Sequence, residues 1–434
     1  MASISRRSLM TGAAAATGSI ALGQAAKAAP AGQRISTNRS AQGDKTEIVM
    51  YHIWGTPPGG TPAATPSPMT QVITKFNETS TTSKIADQTP GGYPEVLQKT
   101  QADIAAGNPP DIICVPWAFL TFAVEGLGLR NLDEVLGDRM STITPLISET
   151  AWPLCTYSDG GIKGMPWGLS TPIFYYNRDI FDQAGVNGDE AFKTWESLQA
   201  VLPALQDAVD GNPVFSLSYN KDWPAQTIVQ GNGGRILLED GKTFGFTTDE
   251  AKAALQVIAD IDAGGFYDRG ASAELRPSFV AGSVPILQSS VASIGGLRND
   301  VSFNLGTSTF PQFGDKPRHA STGGSFLAVF SQDEAKYDAI TEFLEFAAGP
   351  VGYPLWHQTG YVNVSTQELD IIPGQEPAYQ QFSEGLERET NWPGSRGLEI
   401  QTIWATYCER MFAGDISVED GVASANEEMT ALIS

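Results

Sequence analysis

Six tryptophans, Trp54, Trp117, Trp167, Trp223, Trp356 and Trp392, lie beside Pro or Gly or at the edges of apolar runs. A flat ring placed there suits the apolar C–H face of a sugar, while side-chain and backbone partners meet its hydroxyl rim. Trp117 follows the apolar run Asp111–Val115. Ligands of open α/β sheets gather beyond the carboxyl ends of strands, so its position favours contact with a solute. The competing reading for any one of these rings is packing, because aromatics dominate cores. Tyr93 follows Gly91-Gly92 at a helix start, where backbone N–H groups are free for a hydroxyl or an anion. Gly324 allows a ligand or a second backbone to approach closely.

Covalent chemistry is poorly represented. The sequence has no G-x-S-x-G elbow, no H-E-x-x-H, no phosphate-binding P-loop and no G-x-G-x-x-G after a strand. The three histidines, His52, His319 and His357, have no neighbours at metal-ligand spacing, and Cys114, Cys155 and Cys408 suit no zinc site. Cys114 reads as a buried core thiol, and a Cys155–Cys408 bridge stays open. Carboxylates are plentiful, so a glycosidase pair is not excluded by counting, although nothing singles out two of them. No cofactor is implied.

The elements that must hold these residues alternate. A strand over Glu47–Tyr51 precedes a Pro/Gly-rich loop from Gly55 to Pro68 and a helix from about Met69 to Phe76. A second helix, Tyr93 to Ala106, is stopped by Gly107 and Pro109-Pro110, and Asp111–Val115 is a short, wholly apolar strand of the buried parallel kind. Pro172–Tyr176 reads as another strand. Thr194 caps the helix that begins at Trp195. Thr247 with Glu250, and Ser331 with Glu334, read as capping boxes for two further helices. Gly282–Gln288 reads as a strand with Pro285 marking an edge, and Ser417 opens a last helix. This is an α/β layered pattern. No repeat of 20–50 residues is visible, against a solenoid.

At 434 residues the chain is too long for one ordinary core. Its net charge of −22 disfavours nucleic acid and anionic lipid as partners. Ser5-Arg6-Arg7-Ser8-Leu9 opens an Ala- and Gly-rich apolar stretch that ends in Ala26-Lys27-Ala28, which reads as a twin-arginine signal peptide over residues 1–28. Its removal takes the charge from −22 to −25, because it carries Arg6, Arg7 and Lys27 and no acid. Residues 29–44 read as a polar tether. Export to the periplasm is therefore expected.

Several segments resemble the extracellular solute-binding proteins of ABC sugar importers, the family 1, maltose-binding-protein-like group. Ala106-Gly107-Asn108-Pro109-Pro110-Asp111 is similar to that family's helix-to-strand junction. Thr171-Pro172-Ile173-Phe174-Tyr175-Tyr176-Asn177-Arg178-Asp179, followed by Lys193-Thr194-Trp195, resembles its first inter-lobe crossover. The branch that binds glycerol 3-phosphate is nearest, through Gly323-Gly324-Ser325-Phe326-Leu327, Trp356-His357-Gln358-Thr359-Gly360-Tyr361 and Ser395-Arg396-Gly397-Leu398.

The resemblance implies an α/β fold of two lobes (type II) with a ligand cleft between them. Lobe one takes residues 45–174 and 325–362, and lobe two 177–322 and 364–434. It implies a monomer that takes a sugar, oligosaccharide, polyol or glycerol-phosphate-like solute and hands it to importer membrane subunits. Carried over by position, Tyr93, Ser170, Gly324 and Tyr361 fall where that branch touches its ligand. Two departures stand out. Trp117 occupies the place of an acid that holds the glycerol hydroxyls, and Glu399 stands where the branch has an arginine after Gly-Leu, with Arg396 three residues earlier. A phosphate would want such an arginine, so a neutral sugar or polyol is at least as well supported. The candidate ligand-binding residues are His52, Tyr93, Trp117, Ser170, Trp223, Gly324, Tyr361 and Arg396. The alternative is an exported carbohydrate-active hydrolase that uses two carboxylates.

Overall fold

A computed structural model describes residues 45–433, apart from 57, 59–64, 218–220 and 271. The signal peptide and tether lie outside the described residues. Two sheets organise the chain. The first has the order β2-β1-β3-β9-β4, with β1 at Thr46–Tyr51, β2 at Ser83–Gln88, β3 at Ile112–Pro116, β4 at Met165–Ser170 and β9 at Gly323–Val329. β1 runs parallel to β2 and β3, whereas β9 lies antiparallel between β3 and β4. The second has the order β6-β7-β5-β8, from β5 (Pro172–Asn177), β6 (Phe215–Leu217), β7 (Ile286–Ser290) and β8 (Leu305–Ser308).

Each central strand is apolar because helices or loops cover both faces. Every residue of β3 and of β5 is buried. The helices that flank the sheets and frame the site are α1 (Pro68–Thr79), α2 (Tyr93–Ala105), α3 (Trp195–Ala208), α4 (Asp222–Gly231), α5 (Asp249–Ala263), α6 (Tyr337–Ala348), α7 (Gly352–His357), α8 (Glu376–Glu384), α9 (Gly397–Phe412) and α10 (Val418–Thr430). In α6 the spacing of Ile340, Phe343, Leu344 and Ala347 gives one apolar stripe, and Phe343 meets Phe76 of α1 at a ring separation of 5.2 Å. α9 and α10 pack together and against α5, which ties the C-terminal segment to the second sheet's side.

The chain passes between the sheets three times. β4 ends at Ser170 and β5 begins at Pro172, so the first crossing is the single residue Thr171. The second lies between β8 and β9. On the third, Val362 donates its N–H to the Leu169 carbonyl (2.8 Å) before the chain continues towards α8. Buried Gln381 of α8 reaches back to the first crossing, donating to the Thr171 hydroxyl (2.9 Å) and the Pro172 carbonyl (3.0 Å).

Local signals place most helix starts. Thr194 and Ser197 form a reciprocal capping box on α3, and Ser417 accepts from the Asp420 N–H at the start of α10. Two starts differ from the expected ones. Thr248, not Thr247, caps α5 by accepting from Ala251 N. Asp333, not Ser331, accepts from Ala335 N and opens a 3-10 turn, so that α6 begins only at Tyr337. The strand expected over 282–288 is β7, at Ile286–Ser290, and it lies inside its sheet. Pro285 sits just before it, where its missing N–H costs no ladder bond and its carbonyl accepts from Asn177 N (2.9 Å). All three cysteines are buried free thiols. Among the described residues no helix is long and apolar enough to cross a membrane.

Candidate functional site

A cavity of about 320 Å³ opens between the two sheets, where the ends of β3, β4 and β7 meet the starts of β9 and α4. Pro116, Ser170, Ser290 and the Gly323-Gly324 pair bring these strand ends to its wall, and Asp222-Trp223 brings the helix. Sites at the carboxyl ends of strands are the rule for open α/β sheets.

Two glycines make the wall possible. Gly324 has φ +113°, and a Cβ there would collide with the Gly168 carbonyl on the neighbouring strand. A Cβ on Gly323 would occupy the space of the Trp223 indole. With hydrogen in its place the ring packs closely against β9, and its N–H donates to the Thr322 carbonyl (2.9 Å). Trp223 is therefore held against the start of β9 while it faces the cavity.

The opposite wall is aromatic and layered. Tyr361 lines the cavity and stacks on Trp356 (5.1 Å, 16°), which stacks in turn on Trp167 (4.7 Å, 23°). The Trp54 indole donates to the Tyr361 hydroxyl (3.4 Å). Trp54 is held by His52, whose Nδ1 accepts the Trp54 backbone N–H (3.1 Å). A neutral ring with its proton on Nε2 can then donate to Asp87 (3.2 Å), and that bond holds the Asp87 carboxyl below the usual carboxylate range. His52 thus supports the wall from behind and does not line the cavity. Tyr93, the first residue of α2, does line it, and burial followed by the nearby Tyr361 pushes its phenol well above the ordinary range.

Trp117 is placed differently from the expectation of a stacking ring. It begins a 3-10 turn directly after β3, with 1% of its surface exposed. Its indole N–H donates to the carbonyls of Gly323 (3.0 Å) and Gly168 (3.2 Å), tying β9 to β4. The turn presents its neighbours Pro116, Ala118 and Phe119 to the cavity instead. Arg396 lies away from the cavity on the surface and chelates Glu399 through two hydrogen bonds of 2.8 and 2.9 Å. Of the eight candidates, then, Tyr93, Ser170, Trp223, Gly324 and Tyr361 come together, and His52, Trp117 and Arg396 do not line the space.

Three polar groups at the site carry no sequence signal: Asp222, Glu389 and Gln401. Asp222 is 5% exposed. Burial pushes its carboxyl up to about 6, against the pull of hydrogen bonds from Gln401 and the Trp223 N–H. Glu389 is pushed well above the usual range, first by burial and then by the charge of Asp222. Among the described residues no Lys, Arg or His lines this cavity. The adjacent Lys221 turns the other way: it adopts φ +66° and donates its ammonium to the Leu217 carbonyl, and burial lowers it to about 8. No group of three or more potential metal ligands occurs among the described residues. The cavity therefore offers aromatic faces, two carboxyls and an amide. Those features suit a ligand with apolar faces and a rim of hydroxyls, and they oppose a phosphate.

Comparison with known proteins agrees with this architecture. A sequence model of the bacterial extracellular solute-binding proteins matches residues 71–381. The sn-glycerol-3-phosphate-binding periplasmic protein UgpB of Pectobacterium atrosepticum is 26% identical over 393 residues, which cover 80% of this chain and 86% of that protein. UgpB from Mycobacterium tuberculosis, solved with glycerophosphocholine, superposes with a TM-score of 0.72 at 22% identity, covering 84% of this chain and 94% of that one. The substrate-binding protein Lmo0181 of Listeria monocytogenes, solved with cycloalternan, gives a TM-score of 0.76 at 19% identity, covering 89% and 99%.

Proposed function

Because the chain belongs to the bacterial extracellular solute-binding proteins, we propose that it is the substrate-binding component of an ABC importer for a sugar, an oligosaccharide or a polyol. Exported by the signal at residues 1–28, it works in the periplasm as a monomer without a cofactor. Its two lobes are built on the two sheets, and the chain crosses between them at Thr171, between β8 and β9, and near Val362. The solute sits in the cavity between them, stacked by Trp223 and Tyr361, with its hydroxyls on Asp222, Glu389 and Gln401. Contacts to both lobes stabilise the closed form over the open one, and the closed form is the shape that the importer's membrane subunits accept. The observation that carries the choice of solute is the cavity lining, two carboxyls among aromatics with no cation among the described residues. The relatives' names point to glycerol 3-phosphate, and this lining argues against a free phosphate monoester here.

Thermal melts of the purified protein with mono- and oligosaccharides, polyols, glycerol 3-phosphate and its diesters test this. A ligand at 100 times its dissociation constant adds about 2.7 kcal/mol. Stabilisation by uncharged solutes alone supports the reading, and stabilisation by glycerol 3-phosphate alone refutes it. The Asp222–Glu389 pair is the one observation that favours a hydrolase instead. Release of reducing ends from any stabilising oligosaccharide would establish that second reading.

A further inference from the structure

The inter-lobe cleft does not end at the cavity. A second, larger space of about 690 Å³ adjoins it, and Glu389 lines both. The segment that separates them is held to both sides. Glu389 N donates to the Thr322 hydroxyl (2.9 Å), and Thr390 N to Gln226 Oε1 of α4 (2.9 Å). Asn391 exchanges hydrogen bonds of 2.9 and 2.8 Å with Thr121, and Trp392 N donates to the Ala118 carbonyl (2.8 Å). Residues 118–121 and 389–392 thus form one fixed partition, and Glu389 lines the space on either side of it.

The chemistry of the outer space differs from that of the inner one. Arg235, Lys242 and Arg388 supply strong donors, while Glu125, Asp240 and Glu387 supply acceptors beside Glu389. The side chains of Arg235 and Lys242 make no hydrogen bond or salt bridge among the described residues, and Arg388 has only the Leu154 carbonyl (2.8 Å). Tyr157, with its hydroxyl on Glu125 (2.7 Å), and Leu237 add apolar faces. Acids are at least as numerous as bases, which disfavours an anion. Donors and acceptors interspersed with an aromatic face match a polyhydroxylated chain, whose every hydroxyl both gives and takes a hydrogen bond.

We propose that the ligand is an uncharged oligosaccharide, with one ring enclosed against Trp223 and Tyr361 and at least one more in the outer chamber beyond Glu389. This rests on the sugar-binding reading above. Calorimetric titration with gluco-, manno-, galacto- and xylo-oligosaccharides of one to four rings tests it. Affinity should rise at least tenfold from one ring to three within the preferred series. Ser158→Trp fills the outer chamber from an exposed position. It should abolish the gain from length while leaving the affinity for the single sugar within twofold. Equal affinity at all lengths, or an equal loss at all lengths in Ser158→Trp, would overturn the extension alone. Tighter binding of a phosphodiester or a uronate than of any uncharged saccharide would also overturn it, by marking the outer chamber as an anion site. Failure of every saccharide to bind would overturn both this inference and the sugar-binding reading.

Discussion

Replacing Asp222 by Asn should stabilise the ligand-free protein at neutral pH and remove the part of its pH dependence that this carboxyl causes. The unfolded carboxyl ionises near its ordinary value of 3.8, whereas the folded one holds its proton to about 6. Between those values the native state binds more protons than the unfolded state. Stability therefore falls as pH rises from about 4 to about 6 and stays lower above that. The size follows from about 1.4 kcal/mol per pH unit of displacement, which gives about 3 kcal/mol for this group. Glu389, whose proton affinity Asp222 also raises, acts in the same direction. Asn keeps the shape of the side chain and a partner for Gln401, and it carries no charge to bury. Urea unfolding of both proteins at pH 4, 5, 6 and 7 should show similar midpoints at pH 4, and a gap that opens to about 3 kcal/mol by pH 7. The ligand should reverse the ranking, because Asn accepts fewer hydrogen bonds from hydroxyls than a carboxylate does. A gap independent of pH would refute the reasoning, since it would mean that Asp222 ionises in the fold as readily as in water.

Other perturbations separate wall from scaffold. Trp223→Ala should weaken ligand binding about tenfold or more in calorimetry, by removing a stacking face, with an unchanged far-UV circular dichroism spectrum. His52→Phe should cost a smaller factor, roughly threefold to tenfold, by freeing Trp54 and through it Tyr361. It should also alter the near-UV tryptophan signal before any ligand is added, which a residue that merely touches ligand would not do. Arg396→Ala should leave affinity within about twofold and stability within about 1 kcal/mol, because its partner Glu399 is an exposed neighbour three residues along. Gly324→Ala should cost about 1–3 kcal/mol in backbone strain alone, and more as β4 and β9 separate, read as a lower melting temperature.

How far the site could be read from the sequence depended on whether its determinants are local. Helix starts at Thr194 and Ser417 are fixed by side chains within three residues, so they are visible in the chain. The rule that ligands collect beyond strand ends brings attention to the end of β3, and Pro116, Ala118 and Phe119 do line the cavity there. The rule cannot say which side chain of the following turn faces in. Trp117 is turned away by two carbonyls that arrive from residues 168 and 323, and nothing within the turn announces them. Asp222 and Glu389 are hidden for the same reason. Glu389 stands in Glu387-Arg388-Glu389-Thr390-Asn391, which reads as a solvated loop until Thr322, Gln226 and Thr121 fold over it. Buried charge is thus the part of a binding site that sequence conceals best. A carboxyl looks alike in a surface loop and in a cleft, and only the long-range contacts that desolvate it make it a recognition group. Glycines behave in the opposite way. Gly323 and Gly324 are conspicuous in the sequence because close approach excludes a side chain at those positions, and they mark the cavity floor on which Trp223 rests.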